Sequence, residues 1–272
     1  MIERTEPMPR GPTPLATVLV TTGYATAIGV AEACIAYWDV SVGALLHGAL
    51  LLLLVNRFLF AAPAASGAGR ARPAWAHAAL ALALVPLLRL LSLAMTVGEL
   101  PPTARYAVVG TPLLAAALLA ILGPFRNVAP RLSAWSWRVQ APIGLTGIPL
   151  GLAAYAVAGH PDGLVDGADW RRLVLGVAVL LVFTGLAEEL VFRGVVQEGL
   201  TRVLGGAGPA AAALLFGCTY LAVGPAAYTG FITAVGFGFG WLVRRTGSLL
   251  GVSVAHGLMN VGLLLVWPLV VA

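Results

Sequence analysis

Residues 173 to 194 read LVLGVAVLLVFTGLAEELVFRG, an apolar run followed at once by two carboxylates and an arginine. Because charge is costly inside a bilayer, ionisable residues at the end of such a run indicate a functional site. On a helix, Arg193 lies one turn after Glu189 and can neutralise it. Glu188 then points about 100° around the helix and is free for chemistry. The alternative is a structural ion pair at a helix end, with the arginine reaching toward the interface.

The composition is that of a membrane protein. Hydrophobic residues make up 60% of the chain and charged residues 10%, with a mean hydropathy of +0.94. A soluble domain of 272 residues would expose too much apolar surface at this composition. All 16 basic residues are arginine, and their placement is typical of membrane-protein loops and not of a nucleic-acid-binding surface. The sequence therefore predicts an all-α, polytopic helical bundle in the lipid bilayer, with no nucleic-acid partner.

Apolar segments long enough to cross a bilayer recur along the chain. Residues 1–14 are polar and rich in proline, and they predict a short cytoplasmic tail and not a signal peptide. The seventh segment is the weakest, because it is short and Gly224-Pro225 separates it from the eighth, so these two can also form a re-entrant pair. We expect eight or nine transmembrane helices. The segments are residues 15–38, 41–60, 74–98, 105–124, 141–159, 172–193, 208–223, 226–243 and 248–270.

Arginine placement predicts the orientation, since cytoplasmic loops of membrane proteins are enriched in basic residues. With the amino terminus inside, twelve arginines fall on the cytoplasmic side and three outside. We therefore predict an N-in, C-out protein, with Glu188 and Glu189 near the cytoplasmic face. Residues 127–140, which place two tryptophans among arginines, are typical of a stretch at the inner headgroups. The cytoplasmic set is Arg4, Arg10, Arg57, Arg70, Arg72, Arg126, Arg131, Arg138, Arg193, Arg202, Arg244 and Arg245, and the outer set is Arg105, Arg171 and Arg172.

Three further ionisable residues lie within apolar segments. They are Glu32 in the first segment, His47 in the second and Arg89 in the third. In the predicted topology all three occupy the outer half of the bilayer, so Glu32 and Arg89 can pair with His47 between them. A structural ion pair that holds helices together is the favoured interpretation, and a role in an active site is the alternative.

The last apolar segment carries a second polar motif. Thr246-Gly247-Ser248 precedes it, and His256 and Asn260 follow four residues apart, on one face of a helix. A buried imidazole with a carboxamide on the same face can hold a water or a metal, or donate to a developing oxyanion. The alternative is a histidine that is simply part of the packed core.

Taken together, these residues resemble the CPBP family, the intramembrane CAAX-prenyl-protease and bacteriocin-processing proteins also called the Abi group. Glu188-Glu189 followed by Arg193 is similar to that family's EExxxR motif. Residues 246–260 are similar to its HxxxN motif with the usual TGS lead-in. The resemblance spans about residues 173–265. The implied organisation is a tail in 1–14, amino-terminal transmembrane helices in 15–170 and a CPBP-like core in 171–272.

The middle motif departs from the family's pattern. Where the family has FxxxH, residues 216–220 read FGCTY, so Tyr220 stands in place of the histidine. In the family, the first glutamate and the histidines of the second and third motifs are held to activate a water, either directly or around a metal. A phenol is neutral at pH 7 and does not bind zinc as imidazole does, so a metal on Glu188 and His256 is weakly supported. The resemblance implies a site of Glu188, Glu189, Arg193, Tyr220, His256 and Asn260.

Three functions stay open at this level. In the first, the protein is an intramembrane endopeptidase, in which Glu188 activates a water, His256 and Asn260 stabilise the oxyanion and Tyr220 positions the water. Its substrate would be a membrane-associated peptide, such as a prenylated tail or a leader peptide. The cavity would open to the cytoplasmic side of a prokaryotic cytoplasmic membrane. The second is a non-proteolytic family member with an immunity, scaffold or ligand-binding role. The third is a secondary transporter, although no inverted repeat is evident.

Overall fold

The computed structural model describes residues 14–61, 72–94, 100–127, 129–130, 137–165 and 169–271. Within these ranges the chain forms helices joined by short turns, and no strand occurs. Eight helical segments of the described chain are long and apolar enough to cross a bilayer. These features confirm the predicted all-α, polytopic bundle.

The helices of the amino-terminal half are continuous, whereas several later ones contain π-helical turns. Three π-helical segments, π1 (Leu180–Leu186), π2 (Leu190–Val196) and π3 (Gly262–Val266), occur within the later helices. Two of them flank the glutamate pair, and such wider turns are frequent at functional sites. The α-helices are α1 (Leu15–Tyr37), α2 (Val40–Leu59), α3 (Ala74–Ala94), α4 (Pro102–Leu122), α5 (Trp137–Leu145), α6 (Gly147–Val157), α7 (Trp170–Val179), α8 (Ala187–Glu189), α9 (Gln197–Leu204), α10 (Gly208–Cys218), α11 (Ala226–Thr246), α12 (Leu250–Val261) and α13 (Trp267–Val271).

The sixth spanning helix is longer than the sequence predicted. It does not end near Arg193 but continues from α7 through α9 to Leu204. Arg193 is buried, and Glu189 neutralises its charge inside the protein. The arginine therefore does not mark the end of the helix at the membrane interface. The chain turns at Gly205, whose φ of 57° lies in the left-handed region that favours glycine. The predicted sixth and seventh segments follow each other in one helical stretch of 49 residues, Trp170–Cys218, with the turn at residues 205–207 between them.

Two helices form the centre of the bundle. α3 packs against α2 and α9, and nearly every residue from 76 to 86 is buried. α12 packs against π1, α5 and α6. α1 and α2 lie at the periphery and expose large apolar side chains, among them Leu19, Leu45 and Leu52. Because such side chains are stable in hydrocarbon and not in water, this surface faces lipid.

A close crossing of π1 and α12 brings the two sequence motifs together. A Cβ added at Gly185 would lie 2.6 Å from the Ser253 carbonyl oxygen and 2.9 Å from the Cα of Gly257. A Cβ added at Gly257 would in turn lie 2.9 Å from the Cα of Leu181. Small residues at a crossing let two backbones approach closely, as is common in membrane proteins. The crossing places His256 beside the glutamate pair.

We expect Gly185→Ala to lower the free energy of unfolding by about 1–3 kcal/mol, because its methyl group would have to displace backbone atoms of α12. Thermal unfolding of the protein purified in detergent measures this. Gly238→Ala in α11 is the matched control, since a Cβ there meets no atom within 4 Å, and it should be neutral or slightly stabilising. Equal unfolding temperatures for the two variants would contradict the close crossing.

Some predictions concern residues outside the described ranges. These are the tail up to residue 13, half of the interfacial stretch (residue 128 and residues 131–136) and the side assignments of Arg4, Arg10, Arg70 and Arg131. The N-in orientation depends partly on these arginines and stays a prediction.

Candidate active site

The residues predicted for the site lie together, but in two groups. Glu188, Tyr220 and Asn260 line one cavity. Glu189, Arg193 and His256 lie behind its wall, with side chains 2% exposed or less. Of the two adjacent glutamates, Glu188 alone thus lines the cavity. Adjacent residues on a helix point about 100° apart, which agrees with Glu188 facing the cavity while Glu189 points into the packed core.

Arg193 is held from three sides in the buried group. Its Nη1 donates to Glu189 Oε1 at 3.0 Å, the ion pair predicted from the one-turn spacing. Its Nη2 donates to the Gly236 carbonyl oxygen on α11 at 3.1 Å. The guanidinium lies over the Phe216 ring, 4.5 Å from the centroid, in a cation–π contact. A Cβ at Gly236 would lie 2.9 Å from Nη2, so that glycine provides the space for the arginine.

His256 connects the buried group to the cavity. Its Nδ1 lies 2.9 Å from Glu189 Oε1, the oxygen that Arg193 also binds. An ionised carboxylate only accepts hydrogen bonds, so Nδ1 carries the proton and donates it. Nε2 then points toward Glu188, 3.9 Å from Oε2, and it has no hydrogen-bond partner among the described residues. Glu189 therefore fixes the ring orientation, as carboxylates do for histidines in many active sites.

Tyr220 contacts the same Glu188 oxygen that His256 faces. Its hydroxyl donates to Glu188 Oε2 at 3.2 Å, and the glutamate side chain is 18% exposed. Phe216, the first residue of the middle motif, packs edge-on against both Tyr220 and His256, with centroid distances of 5.3 and 5.7 Å. Its ring therefore links the buried group to the cavity-lining group and sets the separation of the phenol from the imidazole.

The cavity is about 600 Å³ in volume and is lined mainly by apolar side chains. Its exposed lining residues lie at one end of the bundle. Ser92 belongs to the end of α3, Pro102 and Arg105 to the start of α4, and Asp162 to the segment after α6. These residues form the mouth, and Glu188 lies at the inner end. A volume of this size suits a ligand or a short peptide segment.

The position of the mouth bears on the predicted orientation. α3 is the third spanning helix, so its end lies on the side of the bilayer opposite to the start of α1. In an N-in protein the cavity would therefore open to the outside. The predicted N-in orientation and the predicted opening to the cytoplasm exclude each other.

The position of the glutamate pair along the sixth helix differs from the prediction, which ended this helix at residue 193. Glu188 follows Trp170 by 18 residues and precedes Leu204 by 16 residues in the long sixth helix. At about 1.5 Å per residue, both helix ends are roughly 24–27 Å away. The pair thus lies near the middle of the helix, because the helix continues beyond Arg193.

Several cavity residues had no signal in the sequence. Tyr106 of α4 and Tyr228 of α11 line the cavity together with Tyr220. The Tyr228 and Tyr220 rings pack edge-on, with centroids 5.8 Å apart. Thr184, one turn before Glu188, lines the same space. No periodicity within one helix indicates which faces of α4 and α11 line the cavity, so sequence reasoning could identify Tyr220 from its motif but not the other two tyrosines.

The predicted pairing of Glu32 and Arg89 is present. Arg89 Nη2 lies 2.6 Å from Glu32 Oε2, and His47 Nε2 lies 3.6 Å from Glu32 Oε1. Arg89 also lines the cavity that contains Glu188. The ion pair therefore holds α1 and α3 together and also borders the candidate site.

The donor set does not fit a catalytic zinc ion, which takes three protein ligands. Glu188 and His256 Nε2 provide two donors, and the third position holds the phenol of Tyr220, a poor ligand in its neutral form. Glu189 is already bound to Arg193 and His256. In the ranges that the structure describes, no group of three or more His, Cys, Asp or Glu side chains is arranged to hold a metal ion.

Comparison with known proteins agrees with the motifs. Residues 170–262 match the family described as type II CAAX prenyl endopeptidase Rce1-like. The match covers 93 of the 272 residues and includes all the predicted site residues, from Glu188 to Asn260. No curated protein and no solved structure matches the chain. Residues 170–262 of this integral membrane protein are therefore similar to the type II CAAX prenyl endopeptidases of the Rce1-like family.

Proposed function

We propose that the protein is an intramembrane endopeptidase in which Glu188 activates a water for attack on a peptide bond. One observation supports this most directly: Glu188 Oε2 has the Tyr220 hydroxyl at 3.2 Å and His256 Nε2 at 3.9 Å, beside a cavity within the bundle. The 3.9 Å separation is too long for a direct hydrogen bond, so a shared water bridges such a pair readily. A carboxylate that can act as a base, polar groups beside it and a cavity that can hold a substrate are thus adjacent to one another.

The chemistry follows from these positions. Glu188 takes a proton from the water as the water oxygen bonds to the peptide carbonyl carbon. The developing oxyanion accepts from the Asn260 side-chain amide and, when the ring is protonated, from His256 Nε2. The proton then passes from Glu188 to the amine nitrogen as the C–N bond breaks. Glu189 and Arg193 touch no reacting atom in this scheme and instead hold the imidazole in place.

The apolar cavity favours a peptide that is already associated with the membrane. Its lining is mostly aliphatic and aromatic, and a polar peptide without an anchor would lose its hydration there without compensation. A prenylated tail and a leader peptide both meet this requirement. The substrate class we propose is therefore a lipid-anchored or hydrophobic peptide that enters from the mouth near Arg105.

A non-proteolytic role is the second candidate, and the Tyr220 contact favours it. The phenol already donates to Glu188 Oε2, the oxygen that would take a proton from the water. A neutral phenol also cannot replace the imidazole as an acceptor of protons. In that case the cavity would bind a hydrophobic peptide or ligand without cleaving it.

We expect Glu188→Gln to lower cleavage of a farnesylated peptide by a factor of about 10² to 10⁴, the usual effect of removing a general base. Cleavage by the protein in proteoliposomes is followed by mass spectrometry. Glu198→Gln, in α9 and outside the cavity lining, is the matched control and should keep the wild-type rate. Equal rates for wild type and Glu188→Gln would contradict the proposed base. Binding of the peptide by the wild type without cleavage would establish the second candidate.

A further inference from the structure

The buried ion pair of the amino-terminal helices contacts the backbone of the segment that carries Tyr220. Glu32 of α1, His47 of α2 and Arg89 of α3 form a cluster in which Glu32 and His47 are 1% exposed or less and Arg89 is 12% exposed. Arg89 Nη2 binds Glu32 Oε2 at 2.6 Å and also donates to the Thr219 carbonyl oxygen at 2.6 Å. Thr219 immediately precedes Tyr220, the residue whose hydroxyl contacts Glu188.

The segment that carries Tyr220 lacks regular helical support. α10 ends at Cys218, and residues 219–223 form a turn before α11. The last carbonyl groups of a helix have no partner within the helix, and a basic side chain can satisfy them. Arg89 satisfies the carbonyl of Thr219, and the Thr229 hydroxyl donates to the carbonyl of Tyr220 at 3.3 Å. These two bonds tie the turn to α3 and α11.

We propose that Arg89, held by Glu32, is a positioning residue that sets where the Tyr220 phenol meets Glu188. The inference rests on the proposed site but not on its being hydrolytic. A purely structural ion pair needs only its own carboxylate, whereas Arg89 extends to a carbonyl 130 residues away in the chain, at the edge of the cavity. The guanidinium presents several donors in a rigid plane, so one side chain can bind a carboxylate and a carbonyl at the same time. The cluster lies outside residues 170–262, so the amino-terminal helices contribute to the geometry of the family domain.

The test measures the NMR chemical shift of the Tyr220 phenol carbon Cζ. The chain has six tyrosines, so labelling with ¹³Cζ-tyrosine gives at most six signals in an NMR spectrum of the detergent-solubilised protein. The Tyr220 signal is the one lost in Tyr220→Phe. The main variant combines Glu32→Gln with Arg89→Gln, which removes both charges and leaves no unpaired ion buried. Glutamine is shorter than arginine and does not reach the Thr219 carbonyl.

We expect the Tyr220 signal to shift by more than its line width in the double glutamine variant, because the hydrogen bond to Glu188 changes. Arg89→Lys keeps the cation and should give a smaller shift. Arg105→Gln removes the arginine at the mouth, which donates to the Leu100 carbonyl, and should leave the Tyr220 signal in place. An unchanged Tyr220 signal in the double glutamine variant overturns the proposal. If that variant does not fold, an unchanged signal in Arg89→Lys has the same meaning.

Proteolysis provides a second readout that separates this inference from the proposed function. If the wild type cleaves peptide with the Tyr220 phenol as a group that positions the water, the double glutamine variant should lose about 10- to 100-fold in kcat at an unchanged KM, as expected for a misplaced site group. The same pair of substitutions should have no effect on kcat in a Tyr220→Phe background, and an equal loss there overturns the positioning role. If the wild type does not cleave, the proposed hydrolysis fails while the NMR result still decides whether Arg89 positions Tyr220.

Discussion

Arg193→Leu is expected to destabilise the protein by about 3–5 kcal/mol, the usual cost of leaving one member of a buried ion pair without its partner. Glu189 is fully buried, and its Oε1 accepts from both Arg193 and His256. Leucine would leave the carboxylate with the imidazole alone, and it would also remove the donor to the Gly236 carbonyl oxygen. The thermal unfolding temperature in detergent and the amount of protein accumulated in the membrane measure the effect.

Two further variants separate the effect of the lost charge on stability from the effect of the changed packing. Arg244→Leu makes the same change at an exposed arginine near the end of α11 and should leave stability close to wild type. Combining Glu189→Gln with Arg193→Leu removes both charges, while the glutamine oxygen can still accept from His256 Nδ1, so much of the lost stability should return. An unfolding temperature for Arg193→Leu that equals that of Arg244→Leu would mean that the ion pair contributes nothing.

The sequence could predict contacts between residues of one helix, and contacts between charged residues at the same depth in the bilayer. Glu189 and Arg193 are one turn apart, so their pairing follows from helical geometry alone. Glu32 and Arg89 were paired from their shared depth, since burying either charge alone in hydrocarbon is costly. The resemblance to the family motifs likewise predicted Tyr220 and His256 as site residues.

What the sequence could not predict depends on how helices face one another. The end of the sixth helix was misplaced because an arginine in an apolar run looks like an interface residue, whereas Arg193 is neutralised inside the bundle. The division between a cavity-lining Glu188 and a buried Glu189 follows from the crossing at Gly185 and Gly257, which fixes the rotation of α12. Hydropathy carries no information on that rotation. The same limit explains why Tyr106 was missed.

The position of Arg89 shows how the amino-terminal helices enter the site. Motif reasoning treated them as apolar helices with a structural ion pair. In the fold, α3 packs against α9 and π2, and α1 packs against α10. Helices outside the family match therefore pack against helices of the matched region, and Arg89 lines the cavity wall. Substitutions in the amino-terminal half should be judged by their effect on the site as well as on stability.

Tyr220→His is expected to raise the rate of peptide hydrolysis by a factor of about 10² to 10⁴, the range associated with a positioned general acid or base. The phenol now occupies a hydrogen-bonding position on Glu188 Oε2 at 3.2 Å. An imidazole is shorter than a phenol, so it would leave room for a water between its ring nitrogen and the carboxylate. It would also place at this position the histidine that the resemblance to the CPBP family implies. Single-turnover cleavage of a farnesylated peptide in proteoliposomes measures the chemical step without the contribution of product release.

Tyr220→Phe is the matched control, because it removes only the hydroxyl and keeps the ring that packs on Phe216 and Tyr228. If the phenol merely blocks the water, the phenylalanine variant should cleave at or slightly above the wild-type rate and well below the histidine variant. If the phenol has been recruited as a donor, the phenylalanine variant should lose activity altogether. A wild-type protein that already cleaves as fast as Tyr220→His would show that Tyr220 does not weaken the site. In that case a tyrosine hydroxyl and the Glu188 carboxylate, together with His256 and Asn260, would be sufficient for hydrolysis within this fold.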